Sequence, residues 1–282
     1  MLVPVRLRPL VRQVRNVGYD AFDWAARATT GKLAYPRRSL RELVGGAPIY
    51  SHIVTGERFA LYLKTLARLR PEASVLDTGC GVGRMAQPLK DYLRTPRKGG
   101  RASYTGFDPN EKCIRWCKAH IEATDPAFRF YHADLYHELY NPGGREKAES
   151  YRFPVGSGTV DVAFAGSLYT HLFRAAAAHY LAETARALRP GGTFLSTWFL
   201  LNEEVESRIE AGKSRYRFDH TIEDTRIGKP ENPTVLVAHE ERWVRAVLER
   251  EGLVVETIHP GDWSGYGSAI EHHDLVVAAK PE

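Results

Sequence analysis

Residues 75–84 read VLDTGCGVGR, and this stretch decides the fold class. Three glycines stand at alternate positions behind an aspartate: Asp77, Gly79, Gly81 and Gly83. An apolar run followed by closely spaced glycines predicts a strand that turns tightly into a helix, because glycine adopts turn conformations and lets a ligand approach the main chain. The dinucleotide fingerprint is G-x-G-x-x-G, and its third glycine position is occupied here by Arg84. The spacing therefore argues against a dinucleotide pyrophosphate at this turn.

Strand-like and helix-like segments alternate from Ser74 onward, which predicts an α/β fold with a doubly wound parallel sheet and helices on both faces. The predicted strands are Ser74–Thr78, Ser103–Asp108, Phe128–Ala133, Val160–Ala165, Thr193–Leu200, Leu253–His259 and Leu275–Lys280. The predicted helices are Met85–Leu93, Glu111–Ala123, Phe173–Leu188 and Glu240–Glu251. The run LRPGG at residues 188–192 predicts the end of the third of these helices.

The pattern D-x-G-x-G-x-G at a strand-to-helix turn resembles motif I of the class I S-adenosylmethionine (SAM) dependent methyltransferases. The resemblance covers roughly Ser74 to Lys280. It implies a Rossmann-like sheet of seven strands with an antiparallel last strand. It also implies SAM as the cofactor and S-adenosylhomocysteine (SAH) as the product.

The resemblance carries over to cofactor residues at the ends of three predicted strands. Asp77 is expected near the ammonium of the cofactor or as a support of the loop, Asp108 on the ribose hydroxyls, and Asp134 on the adenine amine with the Leu135 amide beside the ring. Asp77 as a turn cap, Asp108 as a helix cap and Asp134 as a solvated loop residue are the alternatives. The full predicted set is Asp77, Gly79, Cys80, Gly81, Gly83, Asp108, Pro109, Asp134, Leu135 and Ser167.

The segment GSLYTH at 166–171 follows the fourth predicted strand, where methyltransferases place residues around the reactive methyl group. It resembles a branch that acts on small molecules, and it lacks the Asn-Pro-Pro-Tyr run of many amino-methylating nucleic-acid enzymes. His171 is the candidate catalytic base for a hydroxyl acceptor, since histidine titrates near neutral pH. Orientation of the loop or cofactor is its alternative role.

Aromatic and histidine side chains near the later strands are candidates for the substrate pocket. The predicted substrate residues are Tyr169, Trp198, Trp263, Tyr266 and His272. Asp262 and His273 lie in the same C-terminal stretch, and ordinary packing is the alternative for the aromatics. No His-Glu-x-x-His motif or spaced acidic triad occurs, so we expect no catalytic metal.

Composition sets limits on the class of protein. The 282 residues are 43% hydrophobic and contain no apolar run of the length needed to span a membrane. The three cysteines make no disulfide framework. We therefore expect a cytoplasmic protein. Residues 1–45 hold nine Lys/Arg against three acidic residues, a charge of +6, which leaves −1 for the remainder of the +5 total. We therefore expect a small-molecule partner and no nucleic acid.

The chain divides into a basic N-terminal arm at 1–50, predicted to be helical and to pack on the core, and a methyltransferase domain at 51–282. Insertions at 136–159 and 202–238 are predicted to be substrate lids, because long loops in compact domains are commonly functional. The arm alternates arginines with apolar residues at helical spacing. We expect the apolar stripe of the arm to pack on the domain or on a second subunit of a homodimer. Contact with an anionic membrane or an acidic partner is the alternative, and it is less favoured because residues 6–17 lack Trp or Phe.

The sequence thus predicts methyl transfer from SAM to a small-molecule hydroxyl, such as that of a sugar or secondary metabolite, by in-line displacement. Transfer to nitrogen or sulfur is the first alternative. A nicotinamide-dependent oxidoreductase and a non-catalytic Rossmann-like binding protein are the others.

Overall fold

The computed structural model describes residues 8–94, 102–138 and 140–282, with side chains from Gly18 onward. Arg6 and Leu7 of the predicted arm lie outside the described residues. Eight α-helices occur in this part of the chain: α1 Arg8–Thr29, α2 Arg38–Arg41, α3 Ile49–Thr65, α4 Ala86–Leu89, α5 Glu111–Cys117, α6 Arg174–Ala187, α7 Glu203–Glu210 and α8 Glu241–Arg250. None of them combines the length and apolar character that crossing a bilayer requires.

Eleven strands are present in the described ranges. They are β1 Ser74–Thr78, β2 Ser103–Asp108, β3 Phe128–His132, β4 Val160–Ala165, β5 Leu188–Trp198, β6 Leu200–Leu201, β7 His220–Ile222, β8 Thr225–Ile227, β9 Val237–Glu240, β10 Val254–His259 and β11 Asp274–Ala279. Three of the predicted strands, those matching β1, β2 and β4, have the predicted bounds, and the other four differ by one to five residues at an end.

Seven strands form one sheet in the order β10-β11-β5-β4-β1-β2-β3. The pairs among β1 to β5 are parallel, whereas β11 runs antiparallel to both β5 and β10. The predicted Rossmann-like sheet with an antiparallel last strand is confirmed. The chain leaves β1 toward β2 on one side and β4 toward β5 on the other, which creates a crevice at the carboxyl ends of these strands.

Helix ends follow local sequence signals. Asn110 precedes α5, and its side-chain oxygen accepts from the amides of Lys112 and Cys113, as an N-cap does. Asn202 caps α7 in the same way through the Val205 amide. Helix α6 ends at Ala187, as the LRPGG run predicts, and the run itself is extended and forms the irregular start of β5.

The insertion at 202–238 is an ordered subdomain. It contains α7 and the hairpin β7–β8, and it joins β6 and β9 in a second, four-stranded sheet. Its core is a separate apolar cluster around the buried Phe199, Phe218 and Trp263. The sequence pattern did not predict this second sheet, because its strands are only two to four residues long.

Three predicted pocket aromatics are core residues in the structure. Tyr169 and Trp198 stack at a centroid distance of 4.0 Å with both side chains fully buried. Trp263 is also fully buried and packs edge-on against Phe199 at 5.1 Å. The prediction that these aromatics contact substrate is therefore wrong, because burial in apolar clusters leaves them no surface toward a ligand.

Candidate active site

A cavity of about 570 Å³ opens at the carboxyl ends of β1, β2 and β4. Its wall combines the glycine turn, the segment after β4, the N-terminal part of the chain and the last hairpin. The lining includes Val44, Arg58, Gly79, Cys80, Gly81, Arg84, Asp108, Pro109, His137, Tyr140, Ser167, His171, Glu271 and His273.

The glycine turn after β1 has the backbone that its sequence predicts. Gly79, Gly81 and Gly83 have φ angles of +77°, +52° and +69°, a region that favours glycine. A Cβ atom on Gly81 would lie 2.5 Å from Cγ1 of Val44, which shows how closely the N-terminal segment approaches the turn. Gly79 and Gly81 line the cavity, whereas Gly83 faces Ile121 below it.

Asp108 at the end of β2 lines the cavity and holds the turn. Its Oδ2 accepts from the Gly81 amide at 2.9 Å, and its Oδ1 accepts from the Asn110 amide at 2.7 Å. Burial raises the pKa of this carboxyl to about 6, while the two amide hydrogen bonds lower it. Each carboxylate oxygen has one further acceptor position, which suits the two hydroxyls of a ribose.

Asp77 lies under the turn and outside the cavity lining. It is 2% exposed, and its Oδ2 accepts a short hydrogen bond from the Tyr104 hydroxyl. Burial raises its pKa to about 7, the Tyr104 hydrogen bond lowers it, and the negative Asp108 raises it. Of the two predicted roles, this position fits support of the loop, and the role at the cofactor ammonium stays a prediction.

His171 lines the cavity and is held by main chain on two sides. Its Nδ1 lies 2.7 Å from the carbonyl oxygen of Thr234, and its amide donates to the Leu168 carbonyl at 2.9 Å. Because a carbonyl only accepts, Nδ1 carries the proton and Nε2 keeps its lone pair. Burial lowers the pKa of His171, against an opposing effect of the Thr234 hydrogen bond, so the neutral ring is the form present at neutral pH.

Two more imidazoles border the cavity, His137 and His273. Burial is the first cause that lowers the pKa of each, to about 3 for His273, and the neighbouring His171 lowers both further. Neutral imidazoles add no positive charge to the cavity. Among the described residues, no group of three or more His, Cys, Asp or Glu side chains is placed to hold a metal ion.

Part of the cavity lining consists of residues that the sequence pattern did not identify. Arg58 on α3 pairs with Glu271 at 2.9 Å, which ties the last hairpin to this helix. The Arg84 guanidinium donates to the main-chain oxygen of Val44 and so ties the N-terminal segment to the glycine turn. Arg84 directly follows the glycine motif, so its position beside the site could have been predicted from the sequence. Arg58 and Glu271 are 213 positions apart and belong to no local pattern.

Several predicted site residues lie outside this cavity. Asp134 pairs with the exposed Arg145 at 2.6 Å, and Leu135 is buried, so their roles at adenine stay predictions. Tyr266 packs on Arg208, and His272 bonds Asp262 at 2.6 Å. Neither lines the cavity, which contradicts the prediction that they line the substrate pocket; the neighbouring His273 does line it.

The two insertions differ in their relation to the cavity. His137 and Tyr140 of the 136–159 insertion line it, as expected of a lid. No described residue of the 202–238 insertion lines it, although the carbonyl of Thr234 holds His171. The second insertion therefore contacts His171 without lining the cavity. The structure does not support its prediction as a lid.

Residues 75–192 match the family model described as a methyltransferase domain. This part of the chain is a methyltransferase domain. SAM is accordingly its cofactor. The strands β10 and β11, which complete the seven-stranded sheet, lie beyond the matched residues.

The fold is also similar to solved structures at low sequence identity. A SAM-dependent methyltransferase from Aquifex aeolicus is 17% identical over 86% of this chain and 97% of that chain, with a TM-score of 0.51. The PH0226 protein from Pyrococcus horikoshii is 17% identical over 83% and 91%, with a TM-score of 0.53. Magnesium protoporphyrin IX methyltransferase from Synechocystis, with bound SAH, is 14% identical over 94% and 99%, with a TM-score of 0.51. These likenesses are of the fold.

The cavity of this methyltransferase domain fits a sulfonium nucleoside. Gly79 and Gly81 give main-chain access, because neither carries a Cβ between the turn and the cavity. Asp108 presents a carboxylate anchored on two amides, and Pro109 and Ser167 extend the same wall. Cys80 also lines the cavity, and burial raises its thiol pKa, so it is a neutral contact.

Proposed function

We propose that this protein methylates a hydroxyl group of a small molecule, with His171 as the catalytic base. The observation that carries the proposal is the hydrogen bond of 2.7 Å between Nδ1 of His171 and the Thr234 carbonyl. It fixes a neutral imidazole at the cavity wall with Nε2 as the remaining acceptor.

The size of the cavity supports a small acceptor. Binding sites for small molecules are typically about 300–1,000 Å³. The 570 Å³ here must accommodate both the cofactor and the acceptor. The charged pair Arg58–Glu271 and the three imidazoles add polar groups to the cavity lining, which suits a hydroxylated molecule.

SAM, when bound, supplies a methyl group that is already activated on a positively charged sulfur. The tasks left to the protein are to position the acceptor, exclude water and remove one proton. Nε2 of His171 takes the hydroxyl proton as the new carbon–oxygen bond forms and the methyl carbon–sulfur bond breaks, which leaves SAH with a neutral thioether. The ring becomes an imidazolium. The Thr234 carbonyl, which accepts from Nδ1, stabilises that positive charge.

The proposal is tested with matched acceptors that present a hydroxyl, an amine or a thiol on the same small carbon skeleton. Transfer of labelled methyl from SAM is measured for the parent protein, His171→Ala and the control His220→Ala, whose histidine is exposed on β7. We expect the hydroxyl series to react in the parent and to lose about 10²–10⁴-fold in turnover with His171→Ala, with SAH affinity unchanged. The control keeps parental turnover.

Two results would overturn the proposal. Reaction of the amine or thiol series alone would show that the acceptor atom is not oxygen. Hydroxyl turnover within a fewfold of the parent in His171→Ala would show that His171 positions groups and does not move the proton.

A further inference from the structure

Helix α1 has its polar side turned inward. Asp23 accepts from Arg27 at 2.8 Å and pairs with the fully buried Arg41 at 2.5 Å. Asp20 accepts from the Ser39 hydroxyl at 2.6 Å and from the Ser39 amide at 2.9 Å. Both acidic residues of the helix are therefore engaged with the segment that follows it.

From Gly18 to Thr29, the part of α1 whose side chains the structure describes, the opposite side of the helix is apolar and faces solvent. Phe22 is 78% exposed, Trp24 is 59% exposed and Tyr19 is 46% exposed. Ala21, Ala25 and Ala28 lie between and beside them and are exposed as well. An ordinary surface helix buries its apolar stripe on the core, so the reversed arrangement indicates that this stripe has another partner. The apolar stripe predicted at residues 7–17 lies outside the described side chains, so its packing stays a prediction.

Charge on and around α1 is positive. The part of the helix before Gly18 contains Arg8, Arg12 and Arg15 and no acidic residue. A cleft of about 560 Å³ adjoins the helix at Arg27 and reaches α5. Among the described residues, its lining holds Arg27, Arg37, Lys112, Arg115 and His120 and no acidic side chain.

We propose that α1 lies on the surface of an anionic membrane, with Phe22 and Trp24 inserted among the lipid headgroups. Tyr19 lies beside them under the Arg38 guanidinium, which is 4.7 Å from the centre of its ring. Exposed aromatic residues combined with arginines on one helix are the chemistry of interfacial helices, since the rings enter the headgroup region and the cations bind lipid phosphates. A second copy would bring an equally basic helix to this face, whereas an anionic bilayer supplies the opposite charge.

Trp24 provides a direct probe of the contact. The chain has five tryptophans, and the other four are buried or half-buried: Trp116, Trp198, Trp243 and Trp263. Insertion of Trp24 should shift the fluorescence emission to shorter wavelength and protect it from acrylamide. We expect both effects when the full chain meets vesicles of phosphatidylcholine mixed with phosphatidylglycerol, and not with phosphatidylcholine alone.

Co-sedimentation with the same vesicles tests the residues. Phe22→Ser and the double variant Arg12→Glu/Arg15→Glu should each lower the fraction bound about tenfold or more, because each removes one of the two contributions. Tyr50→Ser, which changes a 77% exposed aromatic residue on α3, is the matched control and should bind as the parent does. Binding of SAH by each variant shows that it is folded.

Three outcomes would overturn the proposal. The first is absence of binding to the anionic vesicles by the folded parent protein, which would leave an acidic protein as the partner. The second is equal loss of binding in the Tyr50→Ser control. The third is a dimer in sedimentation velocity that Phe22→Ser dissociates, with Trp24 protected from acrylamide before any lipid is added. None of these outcomes depends on which acceptor the methyltransferase uses.

Discussion

Nδ1 of His171 lies 2.7 Å from the carbonyl oxygen of Thr234, so a residue after β4 and a residue of the second insertion are joined directly behind the cavity. The contact orients the imidazole and assigns its proton to Nδ1. The 202–238 insertion therefore holds His171 through its main chain, although none of its described residues lines the cavity.

This contact and the burial of His171 predict the pH dependence of methyl transfer to a hydroxyl acceptor. Burial lowers the pKa of His171, so the neutral base is present above a pKa that lies below the usual value of about 6.5. Single-turnover rates should fall as pH drops through that lowered pKa and should be level from neutral pH upward. The inflection in the pH–rate profile should disappear in His171→Gln. An unchanged inflection in that variant would show that another group titrates.

A second prediction concerns Gly81, whose φ of +52° and closeness to Val44 exclude a side chain. Gly81→Ala should cost about 1–3 kcal/mol of unfolding free energy from the backbone conformation. The clash at 2.5 Å adds displacement of the N-terminal segment, so SAH affinity should fall about tenfold or more in calorimetric titration. Val44→Ala in the same chain should restore part of that affinity by removing the clashing atom.

Gly158→Ala is the matched control for this change. Gly158 has a φ of +65° with open space around its Cβ position, and it lies in the turn before β4. The variant should lose about 1–2 kcal/mol of stability from its backbone strain and keep parental SAH affinity. Equal SAH affinities in Gly81→Ala and Gly158→Ala would show that the turn does not approach the cofactor.

A third prediction concerns Asp108, which presents its carboxylate to the cavity. Asp108→Asn should raise the Kd for SAH about 10- to 100-fold, because each hydrogen bond to a charged group contributes about 1.5–3 kcal/mol. Asp125→Asn is the control, since Asp125 also accepts from a main-chain amide, that of Ala127 at 2.9 Å, but lies outside the cavity. A similar loss in both variants would point to a general loss of structure.

A fourth prediction tests whether Trp198 is a core residue or a residue of the substrate pocket. Its ring stacks on Tyr169 in the core and has no exposed surface. Trp198→Ala should lower the free energy of unfolding by about 3–5 kcal/mol, measured by denaturant titration. SAH affinity of the folded fraction should stay within about twofold of the parent. A changed preference among acceptors with unchanged stability would return Trp198 to the pocket wall.

The sheet was predictable because its signals are local. Apolar runs mark β1, β2 and β4, and the glycine spacing at 79, 81 and 83 fixes the turn between β1 and the next helix. The carboxyl ends of parallel strands meet at one edge, so His171 and Asp108 could be placed at a common cavity from the sequence alone.

The rest of the site depends on contacts between distant parts of the chain. Arg58 meets Glu271 through the packing of α3 on the last hairpin, and no spacing in the sequence indicates that pair. Aromatic residues near strand ends, such as Trp198 and Trp263, were predicted to line the pocket. The sequence does not distinguish an aromatic side chain packed in the core from one that lines a cavity. The reversed polarity of α1 was not predictable from residues 6–17, where arginines alternate with apolar residues, because Phe22 and Trp24 lie beyond that stretch.

The central claim is that the glycine turn and Asp108 bind a sulfonium-derived nucleoside and not a pyrophosphate dinucleotide. Isothermal titration calorimetry of the full chain with SAH and, separately, with NAD tests it most directly. The account predicts saturable heat with SAH that weakens in Asp108→Asn, and no saturable heat with NAD. Saturation by NAD together with no response to SAH would contradict it.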